Sequence, residues 1–194
     1  DNETKTSGSK VATLVLPVEY IGSKTNSFKG LVDELTVSAD PTTVSESGNA
    51  LSRAGWTVSA CSQESSEGSA QNAIDGDDTT FWHTNWRTND AQDVEKRWIG
   101  LELEEPAVLD AFRYYPRGGN MNGFVSEYKV QYKLNQEDEW TDIAGGTWDR
   151  TLEWKIAEFD EPVEAKYVRL VGIHTYAESG NDAHMAVAEL RVRE

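Results

Sequence analysis

The densest group of metal-ligating oxygens lies in the segment 71–86, QNAIDGDDTTFWHTNW. Gly76 lies within this group and lets the backbone turn sharply, so several oxygens can converge on one point. Hard oxygen donors at this density favour calcium, although the spacing is not that of an EF-hand. A metal-free acidic surface turn is the alternative that spacing alone leaves open. The donor side chains are Asp75, Asp77, Asp78, Thr79 and Thr80.

A second set of side chains combines an aromatic ring with polar groups. His83 and Trp86 follow the aspartates directly, and Arg117 and Asn122 lie in the Gly/Asn-rich run RGGNMNG. Both segments predict loops at strand ends. A Trp face and fixed Arg, His and Asn groups are what a monosaccharide site needs. The structural alternatives are an Arg117 paired with a carboxylate and a Trp86 packed on the acidic loop.

Catalytic motifs are missing from this sequence. It contains no HExxH, no GxSxG and no GxGxxG followed by a helix, and its three histidines lack metal-ligand spacing. With 34 Asp and Glu residues in the chain, the number of carboxylates does not show whether two of them form a glycosidase pair. We therefore predict a binding domain and not an enzyme.

The elements that must position these side chains are predicted to be strands. In the run 127–134, EYKVQYKL, tyrosines and aliphatic residues alternate with Lys and Gln, as in a strand with one buried face. Gly, Pro, Asn and Asp clusters separate the other β-type runs. The predicted architecture is an all-β, antiparallel jelly-roll sandwich without a long helix. The further runs are 98–103, 108–115, 153–159, 166–173 and 188–192.

Composition narrows the possible partners. The formal net charge is −16, from 34 acidic and 18 basic residues, which disfavours nucleic acid and anionic lipid. The single cysteine, Cys61, excludes an internal disulfide. No apolar stretch reaches the length of about 18 residues that a membrane span needs, so we expect no membrane insertion.

The chain divides into three parts by composition. Residues 1–10 are small and polar and predict a disordered lead. Residues 11–44 hold two apolar runs, VATLVLPVEY and GLVDELTVS, and then a Ser/Thr-rich linker. The sequence SFKGLVDELTVS resembles the closing strand of laminin-G-like or concanavalin-like domains. Residues 11–44 are therefore either a two-stranded appendage or the tail of an upstream lectin-like domain. Residues 45–194 are the main predicted domain.

Five ordered segments of the main domain resemble a known family. They are LSRAGWTVSACSQ, NAIDGDDTTFWHT, YYPRGGNMNGF, YVRLVGI and AVAELRV. Their order and spacing are similar to those of discoidin domains, also called coagulation-factor C-type domains, and of family 32 carbohydrate-binding modules. The likeness extends to the N-terminal domain of galactose oxidase and covers nearly everything after residue 50. It implies a discoidin-like jelly roll whose two ends meet at a bound calcium.

The resemblance also implies which residues hold that calcium. Such a site ties the first loop to the last strand, so its role is structural and not catalytic. The implied ligands are the carbonyls of Asn72, Asp77 and Ala188, the carboxylates of Asp75 and Glu189, and the hydroxyl and carbonyl of Thr80.

In sugar-binding members of this family, a His and an Arg engage the axial 4-hydroxyl of galactose or N-acetylgalactosamine. The matching residues here are His83 and Arg117, and Asn122 matches an Asn that holds the 3-hydroxyl. Many relatives place a site aromatic in the last loop. In this sequence Tyr176 and His184 are the two candidates for that role.

We therefore expect a non-catalytic carbohydrate-binding module of a larger secreted or cell-surface bacterial glycoside hydrolase. Its expected partners are glycans containing galactose or N-acetylgalactosamine, together with the other domains of the parent enzyme, and the module is expected to be a monomer. A lipid- or protein-binding adhesion domain and a structural spacer are the alternatives. Trp82, beside His83, is expected in the core.

Overall fold

The computed structural model describes residues 51–64, 66–85, 97–119, 122–176 and 184–194. The predicted lead, appendage and linker at residues 1–44 lie outside these ranges, and so does Trp86. Among the described residues, no helix combines the length and apolar character that a membrane crossing requires.

The described part of the chain is built from antiparallel strands, which confirms the predicted all-β class. A 3-10 helix, Ala70–Ile74, connects the first two strands. The strands are β1 Thr57–Ala60, β2 Trp82–His83, β3 Trp98–Tyr115, β4 Phe124–Lys133, β5 Thr141–Thr147, β6 Lys155–Tyr176, β7 Ala186–Val187 and β8 Glu189–Arg193.

Six strands share one hydrogen-bonded sheet with the order β1-β3-β6-β4-β5, in which β8 also pairs with β3. A separate two-stranded sheet joins β2 to β7. The long strand β3 has different neighbours at its two ends: Ile99–Glu102 pairs with β1, and Ala111–Tyr115 pairs with β8. Register shifts between these ends bend the strand. One continuous strand therefore contributes to both halves of the sandwich.

The strand boundaries differ from those predicted. The runs 98–103 and 108–115 are one strand, β3, and β6 contains the run 166–173 together with the run 153–159 from Lys155 onward. In each of these strands a polar, proline-containing segment separates the two apolar runs. The hydrogen-bonded pairing of β3 with β6 nevertheless continues past these segments, with shifts in register. Strand β5 was not predicted, because its sequence TDIAGGT has two glycines and no clear alternation.

Apolar alternation explains how the core forms. In β4, Tyr128 and Val130 are buried while Lys129 between them is exposed, as the sequence pattern predicts. Trp82 is completely buried, which confirms that it belongs to the core, and its indole nitrogen donates to the Ser62 carbonyl at 2.9 Å. The core therefore reaches directly beneath His83, the next residue.

Tyr114 connects three strands at the centre of the core. Its hydroxyl donates to the Ala186 carbonyl at 3.1 Å and accepts the Val125 amide at 3.3 Å. Complete burial raises the pKa of this phenol. The ring also stacks on Trp148, with centroids 5.3 Å apart. Tyr114 on β3 thus holds β4 and β7 in register.

We predict that Tyr114→Phe lowers the free energy of unfolding by about 1–3 kcal/mol, because it leaves a buried amide and a buried carbonyl without their shared partner. Tyr128→Phe is the matched control, since that hydroxyl makes no hydrogen bond within the described residues. Urea denaturation followed by Trp fluorescence measures both. Equal losses in the two variants would contradict the role assigned to Tyr114.

Candidate functional site

Local hydrogen bonds shape the acidic loop after the 3-10 helix. Gly76 has φ +91°, which lets the chain reverse directly after Asp75. Asp75 accepts the amide of Asp77 at 2.8 Å, and Asp77 accepts the amide of Thr79 at 2.9 Å. The Thr80 hydroxyl lies 2.7 Å from Asp75 Oδ2 and 3.0 Å from the Asp77 carbonyl oxygen. Three predicted oxygen ligands therefore converge.

Glu189 on β8 completes this group from the other end of the domain. Its Oε1 accepts the Gly76 amide at 2.6 Å, and its Oε2 pairs with the guanidinium of Arg53. Burial raises the pKa of Glu189, the charge of Asp75 raises it further, and the Gly76 amide and Arg53 oppose this rise. The carboxylates of Asp75 and Glu189 therefore act on each other across the loop.

The donor set suits a hard cation. It combines two carboxylates with a hydroxyl and backbone carbonyls, all of them oxygens, as calcium prefers. Among the described residues, no three His, Cys, Asp or Glu side chains form a metal-binding group. The implied set has two carboxylates and otherwise uses Thr80 and main-chain oxygens. The Asn72 side chain donates to the Phe81 carbonyl at 3.0 Å and so fixes the start of the loop.

His83 lies on β2, immediately after this loop. Its ring is buried, and Nδ1 lies 2.9 Å from the Thr84 carbonyl oxygen. Because a carbonyl can only accept, Nδ1 is the donor, and Nε2 is an acceptor in the neutral ring. Nε2 lies 3.8 Å from Oε1 of Glu67. A Cβ at Gly68 would come within 2.8 Å of the His83 ring, so the backbone at Gly68 fits closely against it.

Phe81 links His83 to Arg117. The Phe81 and His83 rings stack with centroids 5.7 Å apart, and the Arg117 guanidinium carbon lies 3.8 Å from the Phe81 ring centroid. Sequence reasoning did not select Phe81. The signal was present, because residues two apart on a strand face the same side, and Phe81 flanks the core residue Trp82 together with His83.

His184 joins His83 and Arg117 in one electrostatic neighbourhood. Partial burial lowers the pKa of His184, and the nearby His83 and Arg117 lower it further. The backbone brings these residues together: Thr84 donates its amide to the Met185 carbonyl at 3.0 Å, so the end of β2 lies against the start of β7. The structure thus brings His83, Arg117 and His184 together from three separate segments.

Asn122 lies at the edge of this group. The carbonyl of the next residue, Gly123, accepts the Ala186 amide at 2.9 Å. Gly123 has φ +83°, and a Cβ there would lie 3.1 Å from the His184 ring. Glycine is required here for both reasons. Gly123, the residue after Asn122, therefore packs directly against the segment that carries His184.

Tyr176 has different contacts from His184. Its hydroxyl donates to the Trp148 carbonyl at 3.1 Å, and the Arg150 guanidinium lies 5.8 Å from its ring centroid. Its own carbonyl accepts the Gly123 amide at 3.0 Å. Of the two candidates for the last-loop position, His184 is the one grouped with His83. Trp86 lies outside the described residues, so its predicted role stays a prediction.

The lowered pKa of His184 predicts a pH dependence of stability. The unfolded residue binds a proton as the pH falls below its ordinary value of 6.5, whereas the folded residue resists protonation. Stability present above pH 6.5 is therefore lost as the pH falls toward the folded pKa. His184→Gln removes this component. Urea denaturation at pH 7.5 and 5.5 measures it, with His174→Gln on the exposed part of β6 as control. An unchanged pH dependence in His184→Gln would contradict this prediction.

Comparison with known proteins adds three findings. The F5/8 type C domain family matches residues 57–190. Galactose oxidase from Gibberella zeae is 26% identical over 185 residues, which is 95% of this chain and 26% of that protein. This chain spans between 19% and 26% of the length of the curated relatives it matches.

Two solved structures share the fold at more than a quarter sequence identity. One is the family 32 carbohydrate-binding module of Clostridium perfringens NanJ in complex with galactose, with TM-score 0.63 and 29% identity over 75% of this chain and 98% of that one. The other is the Clostridium perfringens module CpGH89CBM32-5 in complex with N-acetylgalactosamine-β-1,3-galactose. It has TM-score 0.64 and 27% identity over 75% of this chain and 100% of that one.

Proposed function

The chain belongs to the F5/8 type C domain family, and on that premise we propose that it binds glycans bearing galactose or N-acetylgalactosamine. The expected likeness to discoidin domains, family 32 modules and galactose oxidase is confirmed. Both structural neighbours are carbohydrate-binding modules, so the domain is a binding module and not an enzyme. The observation that carries the proposal is the contact of His83 and Arg117 with Phe81, with His184 beside both of them.

The chemistry of this group suits an axial hydroxyl. Because the Thr84 carbonyl takes the hydrogen bond from Nδ1, an uncharged His83 ring would present Nε2 as an acceptor. Arg117 supplies donors, so one hydroxyl can donate to the first and accept from the second. Packing on Phe81 restricts the Arg117 side chain before a sugar arrives, which reduces the ordering cost of binding. An equatorial 4-hydroxyl points elsewhere, so glucose loses both hydrogen bonds.

We assign the other predicted sugar contacts from the positions of their residues in the fold and in the sequence. Asn122 precedes Gly123, which packs against the segment that carries His184, and is assigned to the 3-hydroxyl. His184 takes the last-loop position in the proposal, since the Tyr176 hydroxyl is bonded to Trp148. Trp86 is assigned to the apolar face of the sugar. A site of one ring and a few hydrogen bonds binds a monosaccharide weakly, at about 10 μM to 1 mM.

Substitution of His83 or Arg117 tests the assignment. We predict that His83→Ala and Arg117→Ala each weaken galactose binding at least about tenfold, because each removes a hydrogen-bond partner of the 4-hydroxyl. Isothermal titration with galactose, N-acetylgalactosamine, lactose and glucose measures this. The matched control is His174→Ala, because His174 is an exposed histidine on β6 that lies beside Glu127 of β4. This variant should bind galactose normally.

The outcomes separate the competing functions. Binding of galactose by wild type with glucose silent supports the proposal. Wild-type binding that survives both alanine substitutions would show that the sugar lies elsewhere. Silence toward every glycan of an array would favour a structural spacer, and salt-sensitive binding to phosphatidylserine vesicles would favour a lipid-binding domain.

We also propose that the acidic loop binds calcium in a structural role. Bound calcium would neutralise the paired carboxylates of Asp75 and Glu189 and so join the first loop to the last strand. The convergence of Asp75, Asp77 and Thr80 oxygens within 3.0 Å supports this proposal. A metal that connects residues so far apart in sequence stabilises the fold by restricting the unfolded chain.

Calcium removal should therefore lower stability. At a free calcium concentration about a hundred times the Kd, binding raises the free energy of unfolding by about 2.7 kcal/mol. Thermal denaturation with calcium and with EDTA measures the difference. Asp75→Asn should lose most of it, whereas Asp78→Asn, the same change at an exposed residue outside the ligand set, should keep it. Equal responses of the two variants would contradict the assignment.

The parent protein and its location are also part of the proposal. Since the chain spans about a quarter or less of its curated relatives, we expect it to belong to a larger secreted or cell-surface bacterial glycoside hydrolase. In that setting a monomeric module holds the catalytic domain near its glycan. Repeated modules would compensate for weak binding at a single site through their effective concentration.

A further inference from the structure

Arg53 occupies an unusual position beside the proposed calcium ligands. It lies only a few residues from the start of the described domain, and its guanidinium pairs with Oε2 of Glu189 on the last strand. Close by, the Leu51 amide bonds to the Val192 carbonyl at 3.4 Å. Arg53 therefore joins the two ends of the domain through a residue that calcium is proposed to use.

The environment of Glu189 explains why it needs a positive partner. Its side chain is 3% exposed, and a carboxylate this deeply buried is costly without countercharge and hydrogen bonds. The Gly76 amide satisfies one oxygen, and Arg53 supplies charge at the other. Asp75, by contrast, is exposed to solvent at the loop surface.

Gly76 makes the approach of Arg53 possible. A Cβ at Gly76 would lie 2.9 Å from Arg53 Nη2, so any side chain there would meet the guanidinium. The positive φ of Gly76 also aims its amide at Glu189. The loop backbone thus leaves room for a cation that comes from the protein itself.

Arg53 and a calcium ion compete for the same carboxylate. Two positive charges within a few ångströms repel each other, and both oxygens of Glu189 already have partners. A dication that takes an oxygen of Glu189 must therefore displace the guanidinium or bind beside it at an electrostatic cost.

We propose that Arg53 is an internal competitor of calcium, an inference that rests on the proposed calcium site. In the metal-free domain, the Arg53–Glu189 pair holds the first loop to the last strand, and calcium binding releases the guanidinium. The domain therefore keeps its ends joined when calcium is scarce, and its calcium affinity is lower than the oxygen ligands alone would give.

Arg53→Gln tests the proposal, because it removes the charge and keeps a side chain of similar length. The variant should melt at a lower temperature than wild type in EDTA and should bind calcium about five- to tenfold more tightly. Thermal denaturation in EDTA and isothermal titration with calcium chloride measure the two effects. Arg193→Gln is the control, since Arg193 pairs with Asp110 and Glu158 and not with the metal loop. It should leave calcium affinity unchanged.

Arg53→Lys keeps the charge without the planar fork and should fall between wild type and Arg53→Gln in calcium affinity, which preserves the test if the Gln variant does not fold in EDTA. Calcium binding by Arg53→Gln that is equal to wild type, weaker or undetectable would overturn the inference. Galactose titration of the same variants reports separately on the sugar site, so failure of the sugar proposal is distinguishable from failure of this one.

Discussion

The interaction on which the rest of this domain depends is the contact between Glu189 and the Gly76 turn. A buried carboxylate on the last strand accepts the amide of a loop 113 residues away and takes its countercharge from Arg53. The segments on either side of this contact carry the sugar-site candidates. The loop continues from Asp75 into His83, and the segment before Glu189 contains His184. A contact that joins these two segments therefore also sets the distance between His83 and His184.

The candidate sugar site has an electrostatic character opposite to that of the whole chain. The protein carries a net charge of −16, yet His83, Arg117 and His184 lie near one another, and Phe81 is the apolar surface shared by the first two. Burial keeps His184 neutral more readily than a free histidine, and the Thr84 carbonyl fixes the hydrogen of the His83 ring on Nδ1. Imidazole nitrogens beside the permanent charge of Arg117 provide acceptors and donors together, which suits the hydroxyls of a sugar.

Membership of the F5/8 type C family accounts for the division of labour in this chain. The sandwich is a rigid support in which long bent strands and buried aromatic residues such as Tyr114 maintain register. The proposed sugar contacts lie on the short strand β2 and in the loops near it, outside the long strands of the main sheet. That arrangement lets one fold serve different ligands, so we expect the specificity of this member to depend on side chains such as His184 more than on the fold it shares with its relatives.

Several features could be read from the sequence because they depend on local chemistry. Alternation in β4 placed Tyr128 and Val130 inside, and the density of oxygens around Gly76 marked the acidic loop. The family resemblance supplied His83, Arg117 and Glu189 as site candidates. The residue pattern did not predict strands where pairing with a neighbouring strand decides the structure. Strands β3 and β6 continue through polar segments because they pair with each other through shifts in register. Strand β5 forms from a glycine-rich segment because β4 provides its partner.

Only the tertiary structure decides which residues far apart in the chain contact one another. Periodicity states which side of a strand a residue faces, but not which distant side chain meets it. Phe81 as the surface beneath Arg117, His184 in place of Tyr176 beside His83, and Arg53 on Glu189 all depend on how loops from different strands close over one another. Sequence by itself determined the fold class and most of the candidate residues, since burial and hard-oxygen chemistry are local properties. Their grouping into one site is a property of the folded chain, because electrostatic and packing contacts act through space.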